Sequence, residues 1–151
     1  MPSTPTRDFG QLEYDAHAVL EFPVGLPGFE DETRFALVER PAAAPLVFLQ
    51  SLSRADLCFV AAPLSTVDPC YELGITREDL ARLELDGERQ PHEPDEVICL
   101  AILTAPERGA LTANLLAPVV INVRTRRAVQ AVRADSRYSH QHGLTLCEAS
   151  C

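Results

Sequence analysis

Val97-Ile-Cys-Leu-Ala-Ile-Leu-Thr104 decides how the rest of the chain is read. Seven apolar residues run unbroken from Val97 to Leu103, against the roughly 20 that a membrane-spanning helix needs. An acidic, proline-containing stretch precedes them (Gly87-Glu-Arg-Gln-Pro-His-Glu-Pro-Asp-Glu96), which neither packs nor continues a helix. A short apolar run behind such a loop reads as a buried strand.

Working outward, similar runs recur at 9–14, 18–22, 35–39, 46–52, 57–62, 111–116, 119–124 and 128–133, separated by proline and acidic loops. Val119, Ile121 and Val123 alternate with Asn122 and Arg124, so one face of that strand is buried. The segment 128–133 fits either a strand or a short helix. One helix is signalled clearly. Thr76 followed by Asp79 forms a capping box, Ile75 and Leu80 a hydrophobic staple, and Asp86-Gly87 a stop, giving a helix over 77–85. The expected fold is therefore mainly β: a compact antiparallel domain over 1–140 with one short helix, and a flexible tail over 141–151.

The 151 residues suffice for one core and not two. Twenty-two acids against thirteen arginines, with no lysine, give a net charge of −9. Residues 1–107 carry −13 and residues 108–151 carry +4. Such an acidic body repels phosphate backbones and membrane surfaces and attracts basic proteins, so neither direct nucleic-acid binding nor membrane association is expected. The N-terminus lacks a secretory pattern, which points to the cytoplasm. Five cysteines, odd in number and without a CxxC pair, argue for reduced thiols. His140, His142, Cys147 and Cys151 carry metal-ligating atoms but match no standard zinc spacing, so no metal or other cofactor is expected.

No nucleophile elbow, zinc-binding helix, phosphate loop or dinucleotide turn is present, and the histidines sit near no recognisable nucleophile. No catalytic residue is assigned. The most specific segment is Phe22-Pro-Val-Gly-Leu-Pro-Gly-Phe-Glu-Asp31. Pro27-Gly28 suits a type II turn, and Pro23 holds Phe22 extended, so a rigid corner presents Phe22, Leu26 and Phe29 either to the core or to a partner.

FPVGLPGFED at 22–31, LVFLQSL at 46–52, VICLAILT at 97–104 and LTANLLAPVVIN at 111–122 together resemble the FliW family of flagellar assembly factors. Gln130, Tyr138, His142 and Leu144 fit the same pattern, while Gln141 and Gly143 stand where the family commonly has a basic residue and a proline. The resemblance implies a barrel-like antiparallel β fold and a non-enzymatic, chaperone-like role. FliW-like proteins bind flagellin in the cytoplasm and bind the translational regulator CsrA, relieving its repression of flagellin mRNA. On that footing Glu30, Asp31 and Glu32 are candidates to meet a basic surface of CsrA. The Phe22, Leu26 and Phe29 corner, with Asn114, Leu116, Val120 and Asn122, is the candidate wall of a groove for an amphipathic flagellin helix. The alternative is an RNA-binding module built on Arg124, Arg126, Arg127, Arg133 and Arg137 with Tyr138 and His142 for stacking, although such arginines in an acidic protein usually form internal salt bridges.

Overall fold

In the computed structural model, which describes residues 1–105 and 107–144, the elements in chain order are β1 (Ser3–Thr6), β2 (Gly10–Glu13), β3 (Val19–Glu21), β4 (Arg34–Glu39), β5 (Val47–Ser51), β6 (Cys58–Pro63), α1 (Leu64–Val67), α2 (Arg77–Arg82), β7 (Val97–Thr104), β8 (Thr112–Ala113), β9 (Val119–Asn122), β10 (Ala128–Gln130) and β11 (His142–Gly143). The apolar run Val97–Thr104, β7, is the hub. It pairs with β6 on one side; on the other it pairs first with β9 and then, at Leu103 and Thr104, with β8. The main antiparallel path runs β10-β9-β7-β6-β5-β4-β3.

Alternation along β7 sorts its side chains into two cores. Val97, Cys99, Ala101 and Leu103 pack with Leu64, Ile75, Leu80, Leu83, Val120 and Val129 beneath the helices. Leu100 faces the other way, with Ile98 and Ile102 partly buried beside it. There it meets Leu20, Phe22, Phe35, Leu49, Val119, Ile121 and Ala128. Residues from both ends of the sheet share that second cluster, so the sheet is strongly curled. A third, small cluster of Leu12, Ala36 and Val38 is covered by the β1–β2 hairpin.

The expected barrel does not close. Among the described residues no ladder joins the edge strands β3 and β10, which meet at one parallel bridge, Glu21 with Arg127. There the Glu21 N–H donates to the Arg126 carbonyl at 2.9 Å. The next rung would need a donor from residue 23 to the Ala128 carbonyl. Pro23 has no N–H, so the ladder ends and the two chains part.

The helix is shorter than its sequence suggested. Thr76 Oγ1 does accept the Asp79 N–H at 3.2 Å, but the Asp79 carboxylate turns to Arg82 instead of reaching back. The helix stops at Arg82, because Glu84 adopts φ +60°. The Leu85 and Glu84 N–H groups then donate to the Leu80 and Ala81 carbonyls, a Schellman closure with glutamate where glycine is usual. The segment 128–133 resolves as a strand over Ala128–Gln130 alone, and 111–116 shrinks to Thr112–Ala113. Strands β1 and β11 and the single turn α1 were not anticipated. Cys58 and Cys99 are free thiols, as expected. Cys70 is disulfide-bonded, against the expectation of reduced thiols.

Candidate functional site

The corner is built as its sequence dictates. Gly28 has φ +85°, and the Phe29 N–H donates to the Leu26 carbonyl at 2.7 Å, closing the turn over Pro27-Gly28. Gly25 has φ +65°, and a Cβ there would lie 2.5 Å from the Glu30 carbonyl oxygen, so only glycine lets the corner fold back on itself. Phe22 and Leu26 are core residues. Phe22 is fully buried edge-on against Phe35, with ring centroids 5.3 Å apart. Phe29 is half-buried, edge-on to Phe59 at 5.5 Å, with the Arg54 guanidinium 5.8 Å from its centroid. Glu30 and Asp31 are exposed and make no ion pair among the described residues. Glu32 is held differently: its Oε2 accepts from Ser51 Oγ at 3.0 Å and from Ser53 Oγ.

Asn114 and Asn122 perform the same backbone service at two chain reversals. Asn114 Oδ1 accepts the Leu116 and Ala117 N–H groups, both at 3.1 Å, turning the chain out of β8. Asn122 Oδ1 accepts from the Arg124 and Thr125 N–H groups, and its Nδ2 donates to the buried Leu83 carbonyl at 2.8 Å. Asn122 is buried and Val120 fully so, leaving Asn114 and Leu116 as the partly exposed members of that set. The structure therefore does not bring the candidate groove residues together on one free surface. Four of them, Phe22, Leu26, Val120 and Asn122, face inward.

The arginine group divides in the same manner. Arg133, with its side chain 4% exposed, donates from Nε and Nη2 to both Asp135 oxygens at 2.8 and 3.1 Å, and from Nη1 to the Glu72 carbonyl at 2.6 Å. Its guanidinium also stacks on Tyr138 and Tyr71, 4.9 and 5.4 Å from their centroids. Gly74 makes room here, since a Cβ would lie 2.6 Å from that guanidinium carbon and would push it from its place. Arg137 pairs with Glu72 at 3.0 Å, and Arg127 with Glu84 at 3.6 Å. The Tyr138 hydroxyl accepts the Glu72 N–H, and the Tyr71 hydroxyl donates to the Leu115 carbonyl at 2.7 Å. This set ties the segment beyond β10 to the loop before α2. Tyr71 and Glu72 were missed from sequence because more than sixty residues separate them from Arg133 and no local pattern marks the meeting. Arg124 and Arg126 make no ion pair among the described residues.

The acidic body is likewise partly engaged. Arg89 grips Glu96 through two oxygens at 2.7 and 2.8 Å, and this arginine holds the Glu96 carboxyl down at about 2. Arg137 keeps the Glu72 carboxyl below its ordinary range, and Arg133 does so for Asp135. Burial pushes the Cys58 thiol up to about 11 and raises Cys99 further, beside Glu93. His140 is exposed and His142 half-buried in β11; Cys147 and Cys151 lie outside the described residues. Among the described residues no cluster of histidine, cysteine and carboxylate groups fits a metal ion, and no helix is long and apolar enough to cross a membrane. What the arrangement offers is a surface of unpaired carboxylates and partly exposed apolar side chains on a rigid frame.

Comparison with known proteins narrows the class. The family model described as FliW protein matches residues 3–144. The flagellar assembly factor FliW of Geotalea uraniireducens is 36% identical over 143 residues, covering 94% of this chain and 83% of that one. The factor of the same description from Syntrophomonas wolfei is 33% identical over 136 residues, covering 89% and 83%. A crystal structure of the flagellar assembly factor FliW superimposes with a TM-score of 0.80 at 30% identity, covering 95% of this chain and 97% of that one.

Proposed function

The chain belongs to the FliW family of flagellar assembly factors, and on that premise we propose that it binds flagellin in the cytoplasm and, in competition with it, the translational regulator CsrA. It acts by binding and not by catalysis. Bound CsrA cannot repress flagellin mRNA; accumulating flagellin displaces CsrA and restores repression. If the two partners exclude each other, flagellin at 100 times its dissociation constant weakens apparent CsrA binding about 100-fold.

The observation that carries this reading is the likeness along the full domain, residues 3–144. The charge distribution supports the CsrA half. CsrA binds RNA and so presents a basic surface, and Glu30 and Asp31 stand exposed, with no ion pair among the described residues, on a corner fixed by Gly25 and Pro27-Gly28. Glu32, anchored by Ser51 and Ser53, adds charge to the same rim. For flagellin, the partly exposed Phe29, Asn114 and Leu116 remain as candidate contacts, while Phe22, Leu26, Val120 and Asn122 are buried and make none.

Calorimetric titration with CsrA and with flagellin separately, then with CsrA in the presence of saturating flagellin, tests the scheme. Saturable binding of each, with the CsrA signal abolished by flagellin, is expected. Undiminished CsrA binding in the presence of flagellin would overturn the competition, and binding to neither would overturn the function.

A further inference from the structure

Where the sheet fails to close, it leaves an open edge. In the register of β9 with β10, the Asn122 N–H donates to the Arg127 carbonyl and the Ala131 N–H to the Pro118 carbonyl. The odd-numbered residues of this strand therefore spend their backbone groups on β9, while Gln130 and Val132 direct theirs outward. Glu21 meets that outward side at a single bridge, with Arg127, where its N–H donates to the Arg126 carbonyl. Beyond it Pro23 supplies no donor, and the chain swings away into the corner. Among the described residues no hydrogen bond reaches the outward backbone groups of Gln130 or Val132.

The gap is a cleft of about 390 Å³, lined by Val24, Gly25, Pro27 and Glu30 of the corner, Asp79 and Arg82 of α2, and Gln130 and Val132 of the edge. Among the described residues four large apolar side chains are strongly exposed, and two of them, Val24 and Val132, each 47% exposed, stand at this cleft. The walls are held on both sides: the chain at Gly25 passes so close to Glu30 that an added Cβ would lie 2.5 Å from the Glu30 carbonyl oxygen, and the Gln130 side chain is fixed by its Nε2 donating to the Ala117 carbonyl. Asp79 and Arg82 neutralise each other at 2.9 Å, which leaves Glu30, with Asp31 next to it, as the unbalanced charge at the mouth.

We propose that this cleft is a strand-addition site for an extended peptide with apolar residues at alternate positions and basic residues between them. Backbone pairing to Gln130 and Val132 supplies the register, Val24 and Val132 receive the apolar side chains, and Glu30 selects for the basic ones. A second copy of this chain fits poorly, because edge-to-edge pairing would bring two sets of Glu30 and Asp31 together in a protein of net charge −9.

The probe is the hexapeptide acetyl-Lys-Val-Thr-Val-Lys-Val-amide, titrated into isotopically labelled protein and followed by NMR and amide exchange. Neither flagellin nor CsrA enters the experiment, so failure of their binding leaves this site standing. Saturable binding is expected to slow exchange at the Gln130 and Val132 amides. Two alternately N-methylated versions of the peptide separate pairing from stickiness. The one that blocks the pairing edge is expected to bind at least about tenfold more weakly, and the other to bind like the parent. Glu30→Lys, an exposed change that leaves the fold intact, is expected to weaken binding about threefold or more at low salt, with the difference shrinking as salt rises. Equal binding of both methylated forms would overturn the proposal. So would unchanged exchange at Gln130 and Val132 with about 1 mM peptide, or a dimer in sedimentation whose Gln130 and Val132 amides are protected without any peptide.

Discussion

The corner 22–32 and the arginine segment 124–137 are the two regions that stand out chemically, one for its aromatics and one for its charge. Both divide in the same way once folded. In the corner, Phe22 and Leu26 go to the core while Glu30 and Asp31 stay exposed, with no ion pair among the described residues. In the arginine segment, Arg133 is buried in a cage of Tyr71, Tyr138, Glu72 and Asp135 while Arg124 and Arg126 make no ion pair among the described residues. The residues best suited to recognition by type are thus the ones that hold the scaffold. They differ in how: the corner by apolar burial and left-handed glycine geometry, the arginine segment by charge-assisted hydrogen bonds across more than sixty residues of sequence.

That contrast makes graded predictions. Phe22→Ala empties a fully buried aromatic site and should lower stability by about 4 kcal/mol, whereas Phe29→Ala, half-exposed, should lose less than half of that; chemical denaturation of the pair measures the gap. Asn122→Ala leaves the Leu83 carbonyl and two N–H groups without their partner and should cost about 3 kcal/mol by the same assay. Arg133→Met should cost about 2 kcal/mol, while Arg126→Met should stay within about 0.5 kcal/mol. Equal losses for the two arginines would erase the distinction between tie and surface.

A smaller effect concerns pH. Arg89 depresses the Glu96 carboxyl from 4.5 to about 2, so their interaction stabilises the fold above about pH 4.5 and is lost as pH falls toward 2. Arg89→Gln should therefore melt below the parent chain at pH 7, with the difference closing between pH 4.5 and 2. A gap that persists at pH 2 would show that Arg89 acts by packing instead of charge.

Much of this was legible before folding. The strands β4 to β7 announced themselves as apolar runs, Thr76 as a helix cap, and Pro27-Gly28 as a turn, because each depends on neighbours in sequence. What escaped depends on distance or on polar strands. β1, Ser-Thr-Pro-Thr, carries no apolar alternation and exists by pairing with β2. The early end of α2 was hidden because Glu84 takes the conformation that glycine normally marks. The barrel stayed open for a reason present in the sequence all along, Pro23, whose missing N–H matters only once Ala128 is known to lie opposite. The candidate groove suffered most, since alternation identifies an apolar face without saying whether it meets solvent or another strand.

The proposed function divides the labour: partners read the exposed rim while the conspicuous residues hold the frame. It is tested most directly by the association rate of CsrA with the Glu30→Lys/Asp31→Lys variant, beside its unfolding midpoint. The account predicts a midpoint unchanged within about 0.5 kcal/mol, an association rate about tenfold slower at low salt, and a smaller deficit at 0.15 M, where screening acts over about 8 Å. An association rate equal to that of the parent chain at low salt would contradict it.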